Sequence, residues 1–216
     1  MRGIFITLEG GEGAGKSTQV RRLAMALEAY GLTVTQTREP GGTPLAEAIR
    51  GLILSHEAAS DDGMTQALLF AAARRDHVRT VIAPALAAGH IVVCDRFADS
   101  TRAYQGGRVP DKILEQVIEL ATGGLKPHLT FLLDLSPESG LERARSRFTG
   151  VEDTFERSNV AFHRDVRKRF QALARAEPTR FIVIDAEQDE AYVAEAIRLA
   201  VRQRLISAQG IPDAGS

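Results

Sequence analysis

The chain has 216 residues, 44% hydrophobic and 25% charged, which suits one globular domain with a sizeable core. A formal net charge of −1 argues against a general nucleic-acid or membrane-surface binder and leaves room only for local basic patches. One cysteine, Cys94, excludes an internal disulfide and fits a reducing cytosol; with no apolar run of about 18 residues and no leader pattern, the expected location is the cytoplasm.

The apolar run Ile4 to Leu8 reads as a buried strand. It leads into Glu9-Gly10-Gly11-Glu12-Gly13-Ala14-Gly15-Lys16-Ser17-Thr18, and then into a helix carrying Val20, Leu23, Ala24 and Leu27 at helical spacing. Gly10 and the trio Gly15-Lys16-Ser17 match G-x-x-x-x-G-K-[ST], the phosphate-cradling loop. Glycines let the backbone curl so that successive N–H groups point inward, and the positive end of the following helix faces the same way. Lys16 then reaches the β- and γ-phosphates, and the Ser17 hydroxyl is placed to ligate Mg²⁺. The stretch therefore reads as a nucleotide-binding site; which nucleotide chemistry it performs must come from elsewhere in the chain.

Thr33 to Thr37 reads as a second strand, followed by Arg38-Glu39 and a Pro40-Gly41-Gly42 turn. An arginine and a carboxylate at a strand end would stand at the mouth of a cleft; the same spacing fits an ordinary turn with a surface ion pair. Thr43 is placed as N-cap and Pro44 as first residue of a short helix with Leu45, Ala48, Ile49 and Leu52 on one face. A loop is expected over Ser55 to Gly63, then a long helix from Thr65 toward Leu86 that Pro84 kinks or restarts. On that helix Phe70 and Arg74 lie four residues apart, a spacing that suits a nucleobase clamp and equally a core aromatic.

The third strand, Ile91 to Cys94, closes on Asp95-Arg96, and Cys94 inside it reads as a small core residue. An aspartate beside the phosphate loop suits a water-mediated Mg²⁺ contact, and the Arg96 fork suits phosphate oxygens; a structural ion pair would read the same. Ala103 to Pro110 is expected as a loop, with Asp111 capping a helix that carries Ile113, Leu114, Val117 and Ile118. Leu129 to Leu135 is the fourth strand, and Ser136-Pro137 opens a helix with Leu141 and Ala144, near whose end Arg143, Arg145 and Arg147 alternate. A helix over Phe155 to Ala174, a strand over Phe181 to Ile184 and a helix marked by Val193, Ile197 and Val201 complete the chain. Five apolar strands alternating with helices predict a parallel sheet covered on both faces, with ligands at the carboxyl ends of the strands.

Together, Glu9 to Thr18, Thr37 to Thr43, Leu69 to Arg74, Asp95-Arg96 with Ser100 to Gly106, and Gly140 to Arg145 resemble the thymidylate kinase family, over Ile4 to about Ala186. The resemblance implies an α/β P-loop nucleoside monophosphate kinase fold, with a five-stranded parallel sheet, one domain over residues 1–210, a small mobile lid near 143–158 and a flexible tail at 211–216. It implies phosphorylation of dTMP to dTDP with ATP and Mg²⁺, in dTTP synthesis, by a homodimer that binds neither nucleic acid nor membrane. Arg38 and Arg96 would hold the dTMP phosphate, Phe70 would stack on thymine and Arg74 would hydrogen-bond its edge. Ser100, Thr101, Tyr104 and Gln105 would complete the pocket, Tyr104 near the position that excludes a ribose 2′-hydroxyl. Glu12 would contact the 3′-hydroxyl, and Glu39 is implied near the metal or acceptor. Ser17 and Asp95 are the expected metal residues.

Some family members carry an arginine in the phosphate loop where this chain has Gly13; others supply it from the lid. Here Arg143 is expected at the ATP site and Arg147 as the lid cation, beside Lys16 and Arg96. The chain departs from the family pattern at Asp153-Thr154-Phe155-Glu156, where Thr154 replaces an arginine, and at Ser158, where a glutamate is common. Rival readings are a kinase for another nucleoside monophosphate and a non-catalytic nucleotide-binding regulator; a GTPase switch lacks its Asn-Lys-x-Asp string here.

Overall fold

In the computed structural model, residues 3–55, 62–147 and 160–206 are described. Five strands, β1 (Ile4–Glu9), β2 (Val34–Arg38), β3 (Ile91–Asp95), β4 (Leu129–Asp134) and β5 (Phe181–Asp185), form one sheet in the order β2-β3-β1-β4-β5. All four pairings are parallel. Asp95 stands opposite Leu8 on one side and Arg38 on the other, so the carboxyl ends of β1, β2 and β3 finish in one row. The strands run about one residue past their apolar cores, which carries Glu9, Arg38 and Asp95 into the ladder.

Helices α1 (Lys16–Ala29) and α9 (Glu190–Val201) cover one face, and α3 (Gly63–His77) and α6 (Asp111–Thr122) belong to the other. Alternation along β1 divides the core: Ile4, Ile6 and Leu8 pack toward Leu23 and Leu27 of α1 and Ile197 of α9. Phe5 turns the other way, meeting Phe97 edge-on at 4.9 Å and joining Leu114 and Ile118 of α6. Both faces of the central strands are thus buried, as continuous apolar runs require. Cys94 lies in the second cluster, fully buried, with burial and then the charge of Glu39 pushing its thiol well up. A third cluster joins α5 (Ala98–Gln105) to α8 (Val160–Ala176) through Ala103, Tyr104, Val166 and Phe170.

The local signals act largely as expected. Thr43 accepts from the Ala46 N–H at 3.0 Å and caps α2 (Pro44–Leu54), and Ser136 accepts from the Ser139 N–H at 3.3 Å ahead of α7 (Pro137–Arg147). The expected break at Pro84 is present, and two other expectations change. The long helix is α3, then a π-helical turn over Val78–Ile82, then α4 (Ala83–Ala87). Pro84 has no N–H and its ring crowds the carbonyl four residues back, so the ladder widens before it. Ala103 to Gln105 are not loop but the last turn of α5, and the connection shrinks to residues 106–110. Asp111 is not the cap of α6; Pro110 holds that position with no side-chain bond, and Asp111 adds its charge to the first turn.

Residues 211–216, and 148–158 of the expected lid, lie outside the described residues, as does the expected start of α8 before Val160. Among the described residues, no helix is long and apolar enough to cross a membrane.

Candidate active site

The phosphate loop runs from the end of β1 to α1, whose N-cap is Gly15, left-handed at φ 86° and without a capping side chain. The first N–H groups of α1 are therefore left for a ligand. Gly13 is constrained in a second way. Its φ is 68°, and a Cβ there would sit 2.0 Å from the Gly140 carbonyl oxygen of α7. With α7 so close, no arginine side chain fits at this position.

Lys16 is buried and donates through Nζ to the Gly11 carbonyl at 2.7 Å. Burial, and next the Arg96 charge, lower its ammonium to about 8 against the pull of Glu12, Asp95 and Glu9. Ser17 Oγ donates to Asp95 Oδ2 at 2.5 Å, while Asp95 Oδ1 is buried with no hydrogen-bond partner among the described residues. A hydroxyl and an orphaned carboxylate oxygen beside a phosphate loop fit Mg²⁺, which prefers oxygen ligands and keeps mostly water and phosphate around it. Among the described residues there is no cluster of three or more His, Cys, Asp or Glu that could hold a metal.

Arg96 follows β3 with a left-handed backbone, φ 68°, rare for a residue with a side chain. Two hydrogen bonds bracket the bend: Arg96 N–H donates to the Leu8 carbonyl at 3.0 Å, and Phe97 N–H to Glu9 Oε1 at 2.8 Å. The guanidinium then turns back over the loop. Nη1 donates to the Gly10 carbonyl and to Ser100 Oγ, at 3.0 and 3.2 Å; Nη2 donates to Glu12 Oε1 at 2.7 Å and Tyr104 OH at 3.3 Å. The Tyr104 hydroxyl also donates to Glu12 Oε1, at 2.7 Å. Burial works against the Glu12 charge, but Arg96, Lys16 and the Tyr104 bond outweigh it and hold the carboxyl down to about 2. Glu9 is the opposite case. It accepts from Ser100 Oγ at 2.6 Å, yet burial and then the Asp99 charge push its carboxyl up to about 8.

Arg74 lies almost fully buried on α3. Nε donates to Glu39 Oε2 at 2.7 Å, Nη1 to Thr101 Oγ1 and Nη2 to the Phe97 carbonyl, both at 3.0 Å. Glu39 Oε1 meets His77 Nδ1 at 3.0 Å, and the same ring's Nε2 meets Thr37 Oγ1 at 2.6 Å. Asp99 anchors α5 from behind, with Oδ2 2.6 Å from Arg180 Nη1 and Oδ1 3.1 Å from Arg102 Nη1.

One cavity gathers most of the expected acceptor residues. Glu12, Glu39 and Arg96 stand toward the phosphate loop; Phe70 and Arg74 come from α3; Ser100, Thr101, Tyr104 and Gln105 come from α5. Arg38 is not among its walls. It lines the adjoining cavity with Lys16, Ser17 and Asp95, and its Nη2 is held by Glu47 at 2.9 Å from both carboxylate oxygens. Arg50, which no motif singles out, lines both cavities and donates to the Pro40 carbonyl at 3.1 Å. A third cavity joins Gly13, Ala14, Gly15 and Thr18 to the β5–α9 connection, where Arg143 Nη1 donates to the Ala186 carbonyl at 2.8 Å. Arg147 ends α7, and its side chain lies outside the described residues. His77, Asp99 and Arg50 carry no sequence signature, because their partners lie on other elements.

A phosphate loop with Ser17 against an acidic strand end, and a basic, aromatic-lined cavity across Arg96 from it, define a P-loop kinase acting on a small nucleotide. Comparison with known proteins narrows the class. The family profile described as thymidylate kinase matches residues 8–197. A thymidylate kinase of Caulobacter vibrioides is 51% identical over 206 residues, covering 94% of this chain and 98% of that relative. One from Bradyrhizobium sp. (strain ORS 278) is 49% identical over 210 residues, covering 96% and 93%. The crystal structure of thymidylate kinase from Ehrlichia chaffeensis superposes with a TM-score of 0.74 at 33% identity, over 92% of this chain and 98% of that one. The chain belongs to the thymidylate kinase family, and is a nucleotide-binding kinase with the family's five-stranded parallel fold.

Proposed function

We propose that the chain transfers the γ-phosphoryl group of ATP to the 5′-phosphate of dTMP, giving dTDP and ADP in the route to dTTP. The observation that carries this reading is the pair of cavities meeting at Arg96, one floored by the phosphate loop, the other by Arg74, Phe70 and α5. ATP phosphates lie on the free N–H groups of the loop with Lys16 against them, and its base side is taken by the Arg143 cavity. The acceptor phosphate is an anion near neutral pH, so the reaction needs no strong base, only alignment and charge neutralisation. Arg96 does both: its guanidinium, held by Glu12, Ser100 and Gly10, stands between the two cavities. Ser17 and Asp95 would hold Mg²⁺, which when bound would neutralise charge on the phosphates.

On the acceptor side, Phe70 supplies a stacking surface, and Arg74 with Gln105 supplies polar groups for the base edge. Glu12 and Tyr104, joined through one oxygen, close the space at the sugar, which supports a preference for a deoxyribose. Arg38 lines only the transfer side, while Arg50 reaches both cavities. Arg147, at the end of α7, is the cation proposed to reach the γ-phosphate from a lid over residues 143–158, since Gly13 leaves no room for one in the loop. The active form is proposed as a cytoplasmic homodimer. Leu52 on α2, Leu68 on α3 and Leu120 on α6 are exposed, and α3 packs against both α2 and α6, which supports an apolar interface on these helices.

A coupled ADP-release assay across dTMP, dUMP, CMP, AMP and GMP tests the reading. The expected result is highest kcat/KM with dTMP; equal or greater activity on a ribonucleotide overturns it.

A further inference from the structure

Gln105 is almost fully buried, lines the acceptor cavity, and has an amide with two distinguishable ends. Its Nε2 donates to Gln66 Oε1 on α3 at 3.3 Å, while its Oε1 is buried with no hydrogen-bond partner among the described residues. Gln66 Oε1 also receives Arg108 Nη1 at 3.1 Å. Gln66 does not line the cavity, so this chain of contacts runs away from the ligand space.

The order of donors and acceptors along this chain follows from chemistry alone. Arginine has five N–H donors and no acceptor, so the Gln66 atom that meets Arg108 must be the amide oxygen. An oxygen already accepting can be met by Gln105 only through its amide nitrogen. The remaining function of the Gln105 amide is therefore a carbonyl oxygen, and a buried acceptor without a donor is unfavourable until something supplies one. Arg108 is itself fixed: its stem passes Gly63, where any Cβ would stand 2.8 Å from Arg108 Cβ. Backbone bonds from Arg108 N–H and Val109 N–H to the Gln105 carbonyl, at 3.1 and 3.2 Å, hold the same turn.

From this polarity we infer that Gln66, locked by Arg108, is a specificity-determining positioning residue. It keeps the Gln105 amide turned so that the pocket offers an acceptor, which a pyrimidine with a hydrogen on N3 satisfies. Thymine and uracil carry that hydrogen. Cytosine presents a bare N3 lone pair there, and two acceptors facing each other leave both unpaired. Gln66 acts without touching the nucleotide, by removing the flipped amide that would suit cytosine. The inference rests on the thymidylate reading of the cavity.

The test is competitive titration of dTMP, dUMP and dCMP against wild type, Gln66→Leu, Gln66→Glu and Arg108→Met, with thermal melts to verify folding. Gln66→Leu lets the Gln105 amide turn, and the preference for dTMP over dCMP is expected to fall about tenfold or more. The ratio of dTMP to dUMP should stay within about twofold, since both bases carry the N3 hydrogen. Gln66→Glu keeps an acceptor toward both partners and should restore the dCMP discrimination. Arg108→Met frees Gln66 to turn and should relax discrimination in the same direction, which keeps the test alive if Gln66→Leu fails to fold. An unchanged dCMP ratio in a folded Gln66→Leu or Arg108→Met protein overturns the inference, as does an equal loss against dUMP, which would mark a loosened pocket. A wild-type protein with no preference for dTMP would instead sink the thymidylate reading itself.

Discussion

The two sides of Arg96 are built on different principles. On the acceptor side the principal cations carry a carboxylate from elsewhere in the chain: Arg74 has Glu39, Arg96 has Glu12, and Arg180 behind α5 has Asp99. On the donor side the loop offers backbone N–H groups, and Lys16 rests on a carbonyl rather than on a carboxylate. Charges paired before the ligand arrives hold geometry, and their guanidinium planes are already aimed. Groups left to neutral partners are available to phosphates, which they bind more strongly for being desolvated. On the proposed reading, the acceptor pocket is assembled in the free protein, whereas the donor site acquires its balance from ATP.

Substitutions should separate the two designs. The largest effect belongs to the donor side and the junction. Lys16→Ala and Arg96→Ala are each expected to lower turnover about a hundredfold or more while circular dichroism stays native, on the scale of a lost charge-stabilising donor. Near-normal turnover in a folded variant contradicts the role of the residue changed. Next comes Glu39→Gln, which leaves the buried Arg74 without its carboxylate. It should destabilise the fold by about 3 kcal/mol and weaken dTMP more than ATP, measured by urea melts and the two KM values. Equal weakening of both substrates would erase the proposed division of labour.

The smallest effect is a pH dependence. The Glu9 carboxyl, pushed up to about 8 from the ordinary 4.5, holds a proton in the fold that the unfolded chain releases. Raising pH from about 5 to about 8 therefore weakens wild type, and Glu9→Gln removes that slope. The stability of the variant relative to wild type should grow steadily over that interval. A difference independent of pH contradicts the assignment.

How far the molecule is legible from its sequence depends on the distance over which each contact acts. Short-range chemistry reads directly. The glycine spacing of the phosphate loop, Thr43 three residues before the Ala46 N–H it accepts from, and Ser136 before Pro137 are all local, and the strand cores were visible as apolar runs. Contacts between elements do not read this way. Asp99 and Arg180 lie 81 positions apart, Arg74 and Glu39 35, Gln105 and Gln66 39, and no periodicity links them. Ala103 to Gln105 read as loop because Gly106 and Gly107 follow, yet tertiary anchoring of α5 through Asp99 carries the helix to Gln105. Arg38 stands at a strand end as expected, paired with Glu47 one helix turn into α2, and lines the adjoining cavity with Glu39 and Arg96. Gly13 is the instructive case. Its place in the loop motif was plain, while the Gly140 carbonyl that forbids a side chain there comes from another helix.

The claim that the acceptor pocket is assembled before ATP binds can be tested by calorimetric titration of dTMP into the protein without ATP or Mg²⁺. The account predicts saturable one-site binding whose Kd changes less than about fivefold when Mg²⁺ and a non-hydrolysable ATP analogue are added. Binding of dTMP that becomes measurable only in the presence of the ATP analogue would contradict it.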